Sequence, residues 1–171
     1  EAVLAWLEGG GRADATYETD GVSGITLLMG AANNAHERVV ELLLRHGAKV
    51  DLQNSNGGTA LMCAAGNGHE RVVDVLLLQR GAEINKLNSE GDTALMCAAG
   101  NGHPAVVLRL LRAGADTAVR SEDGKTALQW AKEKGHAACV GAFRQHIEEV
   151  TASQREAAAG GAGGASSGEA A

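Results

Sequence analysis

Apolar and small residues recur along the chain in short blocks whose order repeats. The block Thr59-Ala-Leu-Met-Cys-Ala-Ala returns unchanged from Thr93. A second apolar block follows each of them, with hydrophobic residues at i, i+3 and i+4, as in Val72, Val75 and Leu76. That spacing is typical of one face of an amphipathic helix. Polar and glycine-rich residues separate successive pairs of blocks, so the pattern predicts pairs of short helices joined by loops.

The pairs recur with a nearly constant period. Equivalent threonines stand at Thr26, Thr59, Thr93 and Thr126, which gives spacings of 33, 34 and 33 residues. A glycine precedes each threonine by two positions. Isolated helices shorter than ~12–15 residues are marginal in water, so these helices need neighbours to pack against. A fixed period of this length therefore predicts an all-α repeat solenoid, in which each unit contacts only the next.

Individual residues within the unit have local structural roles. Each threonine is a good N-cap for the first helix, because its hydroxyl accepts a hydrogen bond from an unpaired amide of the first turn. Gly68, Gly102 and Gly135 suit a left-handed residue between the two helices. Pro104 falls where a second helix begins, and proline is well tolerated there. Gly81 is predicted to end a second helix, before a turn-rich hairpin.

The combined motif resembles the ankyrin repeat family. It reads Gly-x-Thr-x-Leu, then Ala-Ala, Gly-His, Val-Val, Leu-Leu and Gly-Ala. The resemblance implies a helix-turn-helix stack with β-hairpin loops. The sequence departs from the family at the histidine that follows the leucine. In the family this histidine ties neighbouring repeats together by hydrogen bonds. Here the position holds Met29, Met62, Met96 and Gln129. We therefore expect those hydrogen bonds to be absent and apolar packing to contribute more to stability.

The resemblance divides the chain into three parts. Residues 1–20 form an N-terminal half repeat that acts as a cap, residues 21–150 hold four repeats, and residues 151–171 are an Ala/Gly/Ser-rich tail expected to be disordered. The second full repeat carries one extra residue near Leu77. A slightly longer turn is favoured over a π-bulge, an irregularity that often marks functional sites.

Composition and charge narrow the classes of partner. The formal net charge is -6 and no run of Lys or Arg occurs, so no nucleic-acid partner is expected. No apolar stretch approaches the ~20 residues of a spanning helix, so membrane insertion is not expected. Three cysteines give no disulfide framework, which favours an intracellular and cytoplasmic location. We expect a monomer.

Metal and catalytic chemistry find little support in the sequence. Cys63 and Cys97 occupy the same repeat position, but packed helices lie ~8–10 Å apart whereas a Zn–S bond is ~2.3 Å. They are therefore interpreted as small buried hydrophobic residues. The resemblance gives the histidine row a structural role, with each ring bonded to nearby backbone; the row comprises His36, His69, His103 and His136. Since no catalytic motif is present, we expect neither an enzyme nor a cofactor or metal site.

The resemblance also implies a concave face, formed by hairpin tips and first helices, that binds a partner protein. The predicted partner-binding residues are Ile25, Asn33, Gln53, Ser55, Asn56, Asn67, Leu87, Ser89, Glu90, Asp92, Asn101, Arg120, Glu122 and Asp123. Most of them are short and polar, whereas binding hot spots favour Trp, Tyr and Arg. Ile25, Leu87, Arg120 and Tyr17 are the candidate anchors, and modest affinity is expected. An ordinary solvated rim is the alternative interpretation.

Three other functions stay open at this point. The repeats could serve as a passive spacer or regulatory array within a larger multidomain protein. An uncharacterised enzyme or ligand-binding protein would need a buried ionisable cluster in a deep pocket, and the sequence offers none. Asn85 matches the position that is asparagine-hydroxylated in some ankyrin proteins, with Leu77 eight residues before it. The simpler interpretation of Asn85 is a turn asparagine that tolerates a left-handed conformation.

Overall fold

The computed structural model describes residues 2–79 and 81–161, in which short helices come in pairs as predicted. The elements in chain order are α1 (Ala2–Glu8), β1 (Thr16–Thr19), β2 (Val22–Thr26), α2 (Leu27–Asn33), α3 (Glu37–Arg45), α4 (Ala60–Gly66), α5 (Glu70–Asp74), a π-helical turn (Val75–Gln79), α6 (Ala94–Gly100), α7 (Pro104–Arg112), α8 (Ala127–Glu133) and α9 (Ala137–Gly161). Helices α2, α4, α6 and α8 are the first helices of the four units. The second helices are α3, α5, α7 and α9.

Threonine begins each first helix, as predicted. The hydroxyls of Thr26, Thr59, Thr93 and Thr126 accept a hydrogen bond from the backbone N–H three residues on, at 3.1, 3.3, 3.3 and 3.4 Å. One amide of each first turn is thereby satisfied. At the fourth unit Gln129 completes a capping box, because its side-chain oxygen accepts from the Thr126 backbone N–H at 2.8 Å.

Successive units pack helix against equivalent helix. Each first helix contacts the next first helix, and the second helices pack on one another in the same order. Ala64 and Ala65 are fully buried, because small side chains let neighbouring first helices approach closely. The three methionines that replace the family's histidine lie in the core, with exposed fractions of 1%, 6% and 3% for Met29, Met62 and Met96. Apolar packing therefore occupies this row, as expected.

Three rings of the histidine row bond to nearby backbone, as the resemblance implied, and they join adjacent units. The ring Nε2 atoms of His69, His103 and His136 lie 2.9, 3.0 and 3.1 Å from backbone carbonyl oxygens of the preceding first helix. A carbonyl oxygen only accepts, so each Nε2 carries the proton and donates. These rings hold neighbouring units in register.

Strands occur in only one of the loops within the described residues. β1 and β2 form an antiparallel pair with an irregularity between Tyr17 and Thr19. The later loops are turns, so the predicted β-hairpins are realised in the first unit alone. Backbone hydrogen bonds nevertheless join successive loop tips: Ser55 donates to Ser23 at 2.9 Å, Ser89 to Asn56 at 3.0 Å and Glu122 to Glu90 at 2.9 Å.

The extra residue of the second unit produces a π-helical turn, Val75–Gln79, rather than the longer turn that the sequence favoured. The buried residues on either side explain why. Leu76 and Ala82 occupy core positions equivalent to Leu110 and Ala115 of the third unit, with one more residue between them. Both ends are held in the core, so the helix widens: Ala82 N–H donates to Leu76 O, six residues back, whereas Ala115 donates to Leu110, five back.

The region predicted as a disordered tail is partly helical, because α9 continues through Gly161. Residues 162–171 lie outside the described residues. In the first unit Gly47 ends the second helix in a left-handed conformation, with φ of 85°, and Ala48 N–H donates back to Leu43 O at 2.9 Å. That arrangement is a Schellman motif. Ile147 stands at the glycine position in the fourth unit, so the stop signal is absent and the helix runs on.

Candidate functional site

The residues predicted to bind a partner share one face of the molecule. We call it the hairpin face: the loop tips 20–25, 53–58, 87–92 and 120–125, with the adjoining surface of the first helices. All the predicted residues are exposed except Ile25 and Asp92, which are half-buried. The loop tips hold Ile25, Gln53, Ser55, Asn56, Leu87, Ser89, Glu90, Asp92, Arg120, Glu122 and Asp123. Asn33, Asn67 and Asn101 lie at the ends of first helices.

The asparagines at the helix ends form contacts between units. Asn67 Nδ2 donates to Asn33 Oδ1 at 3.0 Å and to Cys63 O at 2.9 Å. One unit further on, Asn101 Nδ2 donates to Gly66 O at 3.0 Å. Sequence reasoning placed these residues on the face but did not foresee that they bond to one another. Their side chains are consequently held in place before any partner arrives.

Several loop-tip side chains are fixed in the same way. Gln53 Nε2 donates to Gly57 O at 2.7 Å and to Leu87 O in the next unit at 2.8 Å. Ser89 Oγ donates to Asn56 O at 2.9 Å, again between units. These side chains order the surface, and the exposed apolar group they leave is Leu87, whose side chain is 46% exposed.

Arg120, expected to be an anchor, folds back on its own loop. Its Nη1 atom donates to Gly124 O at 2.7 Å and lies 3.4 Å from Gln129 Oε1. The guanidinium therefore stabilises the turn before α8. Its remaining N–H groups stay on an exposed side chain.

Acidic groups on the face lack counter-ions. Glu90, Glu122 and Asp123 form no ion pair with any lysine or arginine of the described residues. Asp92 Oδ1 is buried without a hydrogen-bond partner. Burial raises the pKa of Asp92, and the nearby charges of Glu90 and Asp123 raise this pKa further. The loop tips of the third and fourth units thus present uncompensated negative charge.

A row of equivalent positions runs along the first helices, and the sequence analysis did not assign it to the face. It consists of Gly30, Cys63, Cys97 and Trp130, each four residues after its capping threonine. The sequence feature that could have revealed this row is the constant offset from the threonine, which places all four residues on the same side of their helices. Lys125 Nζ lies 4.4 Å from the Trp130 ring centroid, a cation–π geometry that covers one face of the indole.

The cysteines of this row are half-buried and poorly suited to act as nucleophiles. Burial raises the pKa of Cys63. Burial, followed by the charge of Asp92, raises the pKa of Cys97 to about 12. Because the thiolate is the reactive form, both thiols are protonated and weakly reactive at neutral pH. The interpretation as small hydrophobic residues agrees with this, although neither side chain is fully buried.

A cavity of about 270 Å³ lies at the N-terminal end of the row. Its walls include Tyr17, Ile25 and Met29, with Asn33 and Cys63 beside them. Tyr17, named only as a candidate anchor from the sequence, reaches from β1 to α2, where its hydroxyl lies over Gly30. The absence of a side chain at Gly30 lets the Tyr17 ring approach α2 this closely.

Asn85 has a structural partner. Its Oδ1 atom accepts a hydrogen bond from the backbone N–H of Asp116 in the next unit at 2.9 Å. Asp51 Oδ1 accepts equivalently from Glu83 N–H at 3.0 Å. Asn85 does not adopt a positive φ, so the left-handed turn conformation is not its role. Hydroxylation of Asn85 stays a prediction.

Two further features bear on function: a cluster of metal-binding side chains and a helix that could span a membrane. Within residues 2–79 and 81–161, no group of three or more His, Cys, Asp or Glu side chains is placed to hold a metal ion. In the same ranges, no helix is both long and apolar enough to cross a bilayer.

Comparison with known proteins identifies the repeat. A family model described as ankyrin repeats (3 copies) matches residues 1–88 and again residues 76–153. No curated protein matches the chain. Ankyrin repeats generally serve as protein–protein interaction modules and are typically non-enzymatic. Since the two matches together span most of its length, the chain belongs to the ankyrin repeat family.

Proposed function

We propose that this chain binds a partner protein through its hairpin face, which forms the concave side of an ankyrin-type solenoid. The observation that carries the proposal is that several side chains of this face are held in fixed positions. Four of its polar side chains form hydrogen bonds between units, while Leu87 and the cavity beside Tyr17 remain open; the four are Gln53, Asn67, Ser89 and Asn101. Pre-ordered side chains lose less conformational entropy when a partner binds.

The second helices supply a contrast, because several of their charged groups are paired between units. Arg109 on α7 donates to Glu70 at 2.9 Å and forms a second ion pair with Asp74, both on α5. Arg112 pairs with Glu149 on α9 through two hydrogen bonds. These contacts bind neighbouring units together and leave fewer unpaired groups for recognition. The hairpin face is therefore the better candidate surface.

Affinity capture with a matched pair of variants tests the proposal. The bait is the full chain, beside Leu87→Glu on the hairpin face and Ile147→Glu on α9. Both residues are exposed aliphatic side chains, so each variant adds one charge at a solvated position. We expect a partner that binds the native chain and the Ile147→Glu variant but is lost from the Leu87→Glu variant. Loss from Ile147→Glu alone would move the site to the second helices.

A passive spacer or regulatory array is the second candidate, and one observation favours it. Gln53, Asn67, Asn101 and Arg120 use their side chains to hold adjacent units or their own loops, which a spacer would also require. Under this hypothesis all variants and the native chain capture the same background. Folded bait, verified by circular dichroism, is needed for that result to count.

A further inference from the structure

The cavity beside Tyr17 is large enough to take one side chain of a partner. Its volume of about 270 Å³ lies below the ~300 Å³ at which small-molecule sites usually begin. Gly30 lets Tyr17 form its wall, since a Cβ atom there would lie only 2.4 Å from the Tyr17 hydroxyl oxygen and the ring could not approach α2 so closely. Ile25, Met29 and Cys63 make much of its lining apolar, so the cavity suits an aliphatic or aromatic group.

Unpaired acids flank this row at both ends. Glu18 and Asp20 lie in the hairpin that carries Tyr17, and Asp20 lines the cavity. Glu90 and Asp92 lie two units further along, and Asp123 lies three units further along. None of these carboxylates forms an ion pair with a lysine or arginine of the described residues.

The loop tips of the face hold two basic residues, Arg120 and Lys125, and both contact groups of their own unit. Lys125 pairs with Glu133 at 2.7 Å and lies against Trp130. Arg120 donates to its own loop at Gly124 O. Arg120 keeps its positive charge, because the carbonyl that it bonds is neutral. The acidic residues of the loop tips nevertheless outnumber the basic ones, so the face carries net negative charge; they are Asp20, Glu90, Asp92, Glu122 and Asp123. Such a surface complements a cationic partner.

Asp92 is the acid that gains most from a partner. Its Oδ1 atom is buried and accepts no hydrogen bond, and the charges of Glu90 and Asp123 act on it. The pKa of Asp92 is raised because burial and these neighbours disfavour its ionised form. An incoming ammonium or guanidinium group would relieve that repulsion.

The spacing of the two features sets the length of the ligand. Equivalent positions on packed helices lie ~8–10 Å apart, so two units correspond to ~16–20 Å. An extended peptide rises ~3.3 Å per residue, so roughly five or six residues cover that distance.

We infer that the hairpin face takes an extended segment of a partner protein with an apolar side chain in the cavity beside Tyr17 and a lysine or arginine about five or six residues away, next to Asp92. This inference rests on the proposed function and names the chemistry of the partner.

A random peptide library tests the inference even though the partner is unidentified. Twelve-residue peptides displayed on phage are selected on the immobilised full chain. The enriched peptides are then synthesised, and their dissociation constants are measured for the native chain and for each variant by fluorescence anisotropy. Circular dichroism verifies that every variant is folded.

Three variants isolate the two features. Gly30→Met puts a side chain where the Tyr17 hydroxyl lies, so it displaces the wall of the cavity, and methionine favours helix more than glycine does. Tyr17→Ser removes the cavity wall at an exposed position, so the test does not depend on the folding of one variant. Glu90→Gln combined with Asp123→Asn removes two negative charges from the face. Its matched control, Glu148→Gln with Glu156→Gln, removes two charges from exposed positions on α9.

We expect enriched peptides that share an apolar residue and a lysine or arginine at that spacing. Their binding should weaken about fivefold or more in both cavity variants and in the hairpin-face charge variant, but not in the control. Enrichment of acidic or uncharged peptides, equal binding to the cavity variants, or no enrichment would overturn the inference.

Leu87→Glu separates failure of this inference from failure of the proposed function. If peptides without the predicted pattern lose binding to Leu87→Glu, the partner chemistry is wrong and the hairpin face still binds. If enriched peptides bind the native chain and every hairpin-face variant equally, both the inference and the proposed function fail.

Discussion

His103 Nε2 lies 3.0 Å from the carbonyl oxygen of Gly66, which belongs to the preceding unit. The same oxygen also accepts from Asn101 Nδ2 at 3.0 Å. A single carbonyl at the end of α4 thus joins two side chains from the next unit. This relationship links the histidine row to the edge of the candidate binding face.

His103→Ala should lower the free energy of unfolding by about 1–1.5 kcal/mol, because a half-buried hydrogen bond between units is lost. Urea denaturation followed by circular dichroism measures the change. His46→Ala is the control, since His46 is exposed and its side chain makes no hydrogen bond with a described residue; its effect should stay within about 0.5 kcal/mol. Equal effects of the two variants would show that the hydrogen bond from His103 does not contribute to stability.

The turn between the two helices of a unit contains a left-handed residue, at Gly68 in the second unit and Ala35 in the first. We expect substitutions at these two positions to change stability in opposite directions. Gly68 has φ of 75°, and a Cβ there would lie 2.6 Å from His103 Nδ1. Ala35 holds the same position in the first unit with φ of 55°. Ala35→Gly should raise stability by up to about 1 kcal/mol, because the left-handed conformation strains alanine. Gly68→Ala should destabilise by at least that amount, and thermal melts of both variants give the signs. A stabilising Gly68→Ala would show that this turn tolerates a side chain.

Asp92→Asn should stabilise the protein at neutral pH. The pKa of Asp92 is raised in the folded chain, so its ionised form opposes folding above that pKa, and the effect disappears below the ordinary value of 3.8. Solvent reaches part of this carboxyl, which limits the expected gain to roughly 0.5 kcal/mol at pH 7. Denaturant unfolding at pH 7 and pH 3.5, with Glu8→Gln as control, measures it. A variant less stable than native at pH 7, or equally improved at both pH values, would count against the mechanism.

Alkylation should distinguish the native thiols from the unfolded ones. Burial raises the pKa of Cys97 to about 12 and also raises the pKa of Cys63, so few thiolates exist at pH 8. Iodoacetamide should therefore modify both far more slowly in the native chain than in urea, as followed by mass spectrometry of tryptic peptides. Rapid native modification of Cys97 would show that its surroundings are more open than the structure indicates.

Local rules predicted much of the fold. The recurring threonines and the helical spacing gave the correct starts of the first helices, and Pro104 is the first residue of α7. Two departures came from single residues whose effect depends on the rest of the stack. Ile147 replaces the glycine that ends the other second helices, a substitution visible in the repeat but not used to extend α9. The extra residue near Leu77 formed a π-helical turn because the core fixes both its ends.

The candidate site was less predictable than the fold. The repeat offset predicted that Leu87, Glu90 and their neighbours share one face. Backbone hydrogen bonds join successive loop tips, and a role of these residues in binding stays a prediction. The repeat offset did not predict that Gln53 and Asn67 form hydrogen bonds to adjacent units, because the partner of a side chain depends on the distance between units. The cavity needed Tyr17 from β1 to meet Gly30 of α2, and no periodic pattern encodes that contact.

Amide hydrogen exchange of the full chain, with and without its captured partner, shows whether the hairpin face is the surface that binds. We predict slower exchange on binding at the loop tips, in peptides covering residues 53–58 and 87–92. Peptides from α5 and α7 should remain unchanged. Protection confined to α5 and α7, with no change at the loop tips, would place the partner on the second helices and contradict binding at the hairpin face.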